Sequence, residues 1–236
     1  MIRARLSYNV LRMIMRTLPS SLAAKLCGLL RLKIPTAPDM LAGTLMMTSG
    51  LQMKELEASL LKINKGNPDF KIGLAQSSEE EILIELLCAL SWLALHILSR
   101  DDFAAEPGFF EEYSLGTFLG LENLLGERLD LTLFRQVGEE TRELYLCDRP
   151  GLRELAAIKG VPELWGELID RAEREQNWLW TYGCKAGIRI MEKLPVHHHS
   201  IWYAGSHHLI QLAIFMSAEI FKNLRPVLVA PEDARN

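Results

Sequence analysis

The chain has no stretch in which apolar and polar residues alternate for long enough to form a half-buried strand; only residues 226–229 come near it, in the tail. Apolar residues recur at helical spacing instead, so the expected fold class is all-α. There is no Cys-x-x-Cys pair: Cys27, Cys88, Cys147 and Cys184 lie far apart, beside apolar residues or helix ends. That excludes a disulfide framework and a zinc ribbon, and fits buried thiols in a reducing, intracellular compartment. Glycine-rich nucleotide loops, a Gly-x-Ser-x-Gly elbow, His-Glu-x-x-His, heptad runs and internal repeats are all missing. Proline (10) and glycine (16) are too scarce for a disordered chain, and 49% apolar content over 236 residues can fill one core.

Acid is missing from the first 38 residues, which hold seven cations: Arg3, Arg5, Arg12, Arg16, Lys25, Arg31 and Lys33. The remainder carries 19 cations against 30 acids, a balance of −11. The net charge of −4 therefore conceals basic amphipathic helices (residues 1–38) joined to an acidic all-helical domain (residues 39–236). Drawn as a helix, the first stretch sets Arg5, Arg12 and Arg16 on one side and Leu6, Val10 and Ile14 on the other. Three readings fit: a helix lying on an anionic membrane surface, an organellar targeting segment, or a docked helix whose arginines face water. Arginines interrupt the apolar run, so it is not a secretory signal. The acidic body repels phosphate, and its cations are not interleaved with aromatics, which argues against nucleic acid as a partner.

Residues 35–39 read as a linker, and residues 40–63 as an amphipathic helix through Met53, Leu56, Leu60 and Ile63. Ser78 and Glu81 form a capping box for residues 82–98, the most hydrophobic segment of the chain. That segment is short for a membrane span and contains Glu85 and His96, so it is expected to be a buried bundle helix. Residues 110–134 read as helical; Gly116, Gly120 and Gly126 within them imply close helix packing or local irregularity. A long helix is expected from Pro162 into the series Trp178, Leu179, Tyr182, Ala186, Ile190 and Leu194, where Pro195 ends it. In the last helix, Leu209, Ile210, Leu212, Ala213, Ile214, Phe215, Met216 and Ile220 point in nearly every direction. A helix of that kind belongs at the centre. The expectation is a single bundle of about eight to ten helices around a buried carboxy-terminal helix.

Five of the six histidines fall within twelve residues: His197, His198, His199, His207 and His208. Neutral imidazole is the commonest transition-metal ligand, which makes this cluster the candidate site for a divalent metal. Its two halves are too far apart for the i, i+4 spacing of one helix. One ion would need a break at Gly205, or a carboxylate such as Glu219 or Glu192. Otherwise the cluster is a solvated helix start, with His208 a hydrogen-bonded core residue. Asp101, Asp102 and Glu106 are spaced like an aspartate-rich Mg²⁺ run, or else simply face water at a helix exit.

Residues 131–140, Leu-Thr-Leu-Phe-Arg-Gln-Val-Gly-Glu-Glu, followed by Tyr145-Leu146, resemble the second aspartate-rich motif of squalene and phytoene synthases. Residues 6–39 are similar to the same family's amino-terminal region, and the order turn, long helix, Leu194-Pro195, last apolar helix also agrees. The resemblance implies an isoprenoid synthase fold with an apolar helical cavity, its ligand met by Arg135, Gln136, Glu139, Glu140 and Tyr145. In this chain Gln136 stands where the family has its key aspartate, Glu140 stands for that aspartate's partner, and the first motif shrinks to Asp39. Without those hard oxygen ligands for Mg²⁺, the resemblance implies a pseudoenzyme that keeps the cavity and lacks the chemistry. Leu194-Pro195 to His199, with Gly205 and His208, are also similar to the first histidine motif of HD-domain phosphohydrolases and of related domains in conjugative relaxases. The His-Asp pair of that family is missing, and with it two metal ligands.

Two functions of different class follow. The first is a non-catalytic helical binding or scaffolding protein, without cofactor and peripherally attached to a membrane. Its partner would be an isoprenoid or other lipid, or a protein; a helical adaptor subunit of a larger assembly is a variant of the same reading. The second is a metal-dependent hydrolase or phosphohydrolase that uses a divalent metal at the histidine cluster. The expected location is the cytoplasm, at a membrane surface, or alternatively an organellar matrix.

Overall fold

The computed structural model describes residues 37–65, 76–100, 108–161, 163–193 and 200–223. These contain eight α-helices: α1 (Pro38–Lys65), α2 (Gln76–Leu98), α3 (Phe109–Leu125), α4 (Leu131–Leu146), α5 (Leu152–Ile158), α6 (Gly166–Arg174), α7 (Trp178–Lys193) and α8 (Ser200–Asn223). Two 3₁₀ turns, Gly126–Arg128 and Glu163–Trp165, join them, and there is no strand among the described residues. The all-α class and the expected number of helices both hold. Arg5, Arg12, Arg16, Leu6, Val10 and Ile14 lie outside the described residues, as do Asp101, Asp102, Glu106, His197, His198, His199 and the side chain of His207.

The centre is α2, not α8. From Ile84 to Leu95 every residue of α2 is buried, and Leu87, Leu90, Leu93 and Leu95 are wholly inaccessible. Each such leucine stabilises the fold by about 1.5–3 kcal/mol relative to an exposed one. Around α2 stand α1, α4, α7 and α8. The 20-residue stretch Glu79–Leu98 is long and apolar enough to cross a membrane, yet 72% of its most apolar window is buried inside the protein, as a core helix requires. By contrast α8 is buried on one face, through Ile210, Ile214, Ala218 and Phe221, while Leu212 and Met216 are about half exposed at 50% and 47%. Among its described side chains, the apolar ones extend beyond the face that the neighbouring helices cover.

Helix ends follow local chemistry. Pro38 occupies the first turn of α1, where its missing N–H is no loss, so the helix takes in the last two residues of the expected linker, Pro38 and Asp39. α2 begins at Gln76, two residues ahead of the capping box read from Ser78. The helix expected over residues 110–134 is two helices, because Gly126 takes φ 54° and Asp130 starts a new one by accepting from the Thr132 and Leu133 amides at 2.8 and 3.1 Å. The long helix expected from Pro162 is likewise broken: Gln176 adopts φ 45°, and Asn177 Oδ1 caps α7 by accepting from the Leu179 amide at 3.1 Å.

Close packing occurs where the glycines of α3 predicted it. A Cβ on Gly116 would stand 3.1 Å from Pro38 Cβ, and one on Gly120 3.0 Å from Ala42 Cβ, so α1 and α3 cross almost backbone to backbone. Gly183 plays the same part between α7 and α8, where an added Cβ would meet Gln211 Cα at 3.2 Å. Trp180 closes that interface edge-on to Phe215, with ring centroids 4.7 Å apart, and Arg171 of α6 covers the Trp180 ring.

Candidate functional site

Three helices bring charge into the interior. Glu85 of α2, 2% exposed within an otherwise apolar helix, accepts two hydrogen bonds from Arg189 of α7, at 2.7 Å from Nε and 2.6 Å from Nη2. This planar fork is the strongest ion-pair geometry available to the two side chains. A second carboxylate, Glu140 of α4, reaches Arg189 Nη2 at 3.4 Å and accepts from Gln136 Nε2 at 2.8 Å. Lys193 Nζ stands 3.8 Å from Glu81, one turn further along both helices. The row runs from a sealed pair to an exposed rim.

The surroundings determine its chemistry. Burial works against the Arg189 charge, but the hydrogen bonds and charge of Glu85 carry its pKa above the usual value. The Gln136 hydrogen bond, with the Arg189 charge, holds the Glu140 carboxyl below its usual range against partial burial. Tyr145 stacks on Tyr182 with centroids 4.3 Å apart, and Tyr182 donates to the Ala89 carbonyl at 2.8 Å. Burial first, then the Glu85 charge, pushes both the Tyr145 phenol and the Cys88 thiol upward. Burial also pushes the Cys184 thiol up to about 12, although Gln211 donates to its sulfur at 2.7 Å. These thiols are inert by the measure that matters, their thiolate fraction.

Lys185 is a second buried cation, 2% exposed, one turn before Arg189 on α7. Its Nζ donates to the Leu144 carbonyl at 2.9 Å and pairs with Asp148, so it closes the carboxyl end of α4 from outside that helix. Burial lowers its pKa, against the opposing hydrogen bond and charge of Asp148. A lysine pKa below its unfolded value means that the unfolded chain binds more protons between the two values, so stability rises with pH across that window. Lys185→Met is nevertheless expected to lower stability by about 1–3 kcal/mol at neutral pH, because losing the bonds to the Leu144 carbonyl and Asp148 outweighs the relief of desolvation. It should also abolish the part of the rise towards pH 10 that depends on this residue. Urea midpoints of both proteins at a series of pH values check this, and parallel pH profiles would contradict it.

The residues named from sequence divide. Gln136 and Glu140 share the outer face of α4 and join the Arg189 row. Arg135 forms a two-bond pair with Glu122 of α3 at 2.7 and 2.6 Å, and Glu139 is exposed. Tyr145 projects into the core on the opposite side, 5% exposed, so these five residues do not line one ligand site. His208 is exposed, which corrects its reading as a core histidine. Among the described residues no group of three His, Cys, Asp or Glu side chains could hold a metal. Glu85, Arg189 and Lys185 were missed as site residues. Their signal was a charge placed inside a run otherwise apolar on every side.

A groove of about 110 Å³ opens between α1 and α8, lined by Gln52, Glu55, Leu56, Ser59, Leu86, Ile190, Ile210, Leu212, Ala213 and Met216. Pockets that enclose a small molecule measure roughly 300–1,000 Å³, so this one suits side chains laid in from outside.

Fold and site together define an all-α bundle tied across its core by an arginine–glutamate pair. No family model matches the chain, and no curated protein or solved structure is significantly similar to it.

Proposed function

We propose that this chain works by binding and not by bond-making chemistry: a helical binding or scaffolding protein, held at an anionic lipid surface by its basic amino-terminal segment. Its partner is an isoprenoid or other lipid, or a protein, met along the outside of the bundle. One observation carries the reading: the charged side chains of the interior are engaged, Glu85 with Arg189 and Lys185 with Asp148 and a carbonyl, while spare apolar side chains stand outside. A working acid, base or nucleophile needs a pKa near the operating pH. Burial drives Cys88, Cys184 and Tyr145 in the opposite direction. Meanwhile Met40, Met47 and Leu51 along α1 are 48%, 65% and 57% exposed, and Leu212 and Met216 flank the groove. Surface apolar groups gathered in this way mark a contact.

Vesicle flotation tests the membrane half of the proposal. The full chain is expected to float with vesicles containing roughly 30% phosphatidylserine, to be released by salt, and to ignore purely zwitterionic vesicles. Each basic residue near such a surface contributes about 1 kcal/mol, so Arg5→Glu/Arg12→Glu/Arg16→Glu should reduce binding by about a hundredfold or more. Equal flotation of the parent and the triple variant would remove the membrane from the reading.

A further inference from the structure

The groove between α1 and α8 has an apolar floor, Leu56, Leu86 and Ile210, apolar walls, Leu212 and Met216, and a carboxylate, Glu55, at its rim. Those walls are still about half exposed, at 50% and 47%, so the groove is a surface waiting for cover. We infer that its occupant is the chain's own basic amino-terminal segment, residues 5–18, seated with Leu6, Val10 and Ile14 in the groove and Arg5, Arg12 and Arg16 outside it.

Three observations select this occupant. The first is charge: the segment belongs to a stretch with seven cations and no acid, and the remainder of the chain, at −11, places Glu55 beside the groove. The second is length: in a helix Leu6, Val10 and Ile14 span about 12 Å, and the groove side of α1, from Gln52 to Ser59, spans about 10 Å. The third is reach. The described part of the chain begins at Ala37, about 27 Å along α1 from Glu55. Residues 19–36 can extend to about 60 Å, more than twice the distance needed to fold back. Because an amphipathic helix has one apolar face, the groove and a lipid surface compete for it, and anionic membrane would uncover Leu212 and Met216 as it takes up the segment. Only this last step rests on the membrane attachment proposed above.

Photo-cross-linking in the full-length protein tests the inference. With p-benzoylphenylalanine in place of Val10, irradiation at low concentration in lipid-free buffer is expected to join residue 10 to peptides containing Gln52–Ser59 or Ile210–Met216. Leu212→Glu/Met216→Glu, on an exposed face and so not expected to unfold the helix, should reduce that intramolecular product by about tenfold. Glu55→Lys should weaken it further at low salt. Cross-links to other parts of the body, or a yield unaffected by these variants while circular dichroism stays that of the parent, overturn the inference. Vesicles with roughly 30% phosphatidylserine should suppress the product and zwitterionic vesicles should leave it unchanged. A groove cross-link that persists on vesicles to which the protein demonstrably binds overturns the competition. Failure of flotation with the lipid-free cross-link intact overturns the membrane reading alone.

Discussion

Replacing Arg189 by methionine is expected to lower stability by about 3–5 kcal/mol, and adding Glu85→Leu to that variant is expected to restore most of the loss. The asymmetry comes from solvation. With Arg189 gone, the Glu85 carboxylate, 2% exposed on the helix at the centre of the bundle, has neither water nor a counter-charge. It must then be buried uncompensated or take up a proton, and each alternative costs several kcal/mol. Removing both charges replaces a desolvated pair with aliphatic packing, which buried ion pairs often tolerate well. The remaining contact, Glu140 to Arg189 at 3.4 Å, involves a carboxylate 47% exposed and contributes at most about 1 kcal/mol. Urea unfolding of the parent, both single variants and the double variant closes the cycle, provided the denaturant slope is unchanged. If the double variant is as unstable as Arg189→Met, the pair is not what makes the single substitution harmful, and the loss belongs to the packing of the arginine stem.

The same pair shows what can be read in the chain and what cannot. Glu85 is visible in the sequence as a charge inside ILIELLCALSW, and it serves there as an argument against a membrane span. Its partner lies 104 residues away, a separation that no local pattern connects. Arg189 and Lys185 could have been flagged, because they fall within the apolar series Tyr182, Ala186 and Ile190, on a helix where Gly183, Cys184, Gly187, Ile188 and Met191 are buried too. Tyr145 and Gln136 could have been separated on geometry alone, since nine residues along a helix is two and a half turns and opposite faces. The motif resemblance grouped them by order along the chain, whereas a helix sorts them by direction.

The centre of the bundle was misplaced for a related reason. Apolarity on all sides is necessary for a central helix but not sufficient, because position depends on which neighbours arrive. α2 has α1, α4, α7 and α8 around it, whereas α8 packs chiefly on α7 and leaves the Leu212 and Met216 side uncovered. Helix breaks, in contrast, were written locally. Gly126 with Asp130, and Gln176 with Asn177, each pair a positive-φ residue with a capping side chain, and reading through them fused helices that the chain keeps separate.

Trp92→Ala is expected to match the loss from Arg189→Met, at about 3–5 kcal/mol, whereas Trp92→Phe should lose about 1–2 kcal/mol. Trp92 sits on α2 where α3 and α4 meet it. Its ring lies 4.9 Å from that of Phe118, which in turn packs 5.6 Å from Phe134. Gly138 makes room for this arrangement, since a Cβ there would stand 3.0 Å from the Phe118 ring. Alanine at position 92 would empty the space between three helices that cannot collapse without moving the Gly138 backbone. Phenylalanine keeps a six-membered ring but gives up three ring atoms together with the indole N–H, which donates to Gly138 O at 3.1 Å and Thr141 Oγ1 at 3.2 Å. That loss strands nothing costly, because Thr141 Oγ1 still donates to the Val137 carbonyl at 2.6 Å and Gly138 O lies within the helical ladder of α4. Both variants lack the N–H, so the difference between their urea midpoints measures what the phenyl-sized part of the ring contributes by packing. Should Trp92→Phe prove as damaging as Trp92→Ala, the five-membered ring with its N–H, and not the bulk that the two aromatic side chains share, is what fastens α4 to α2.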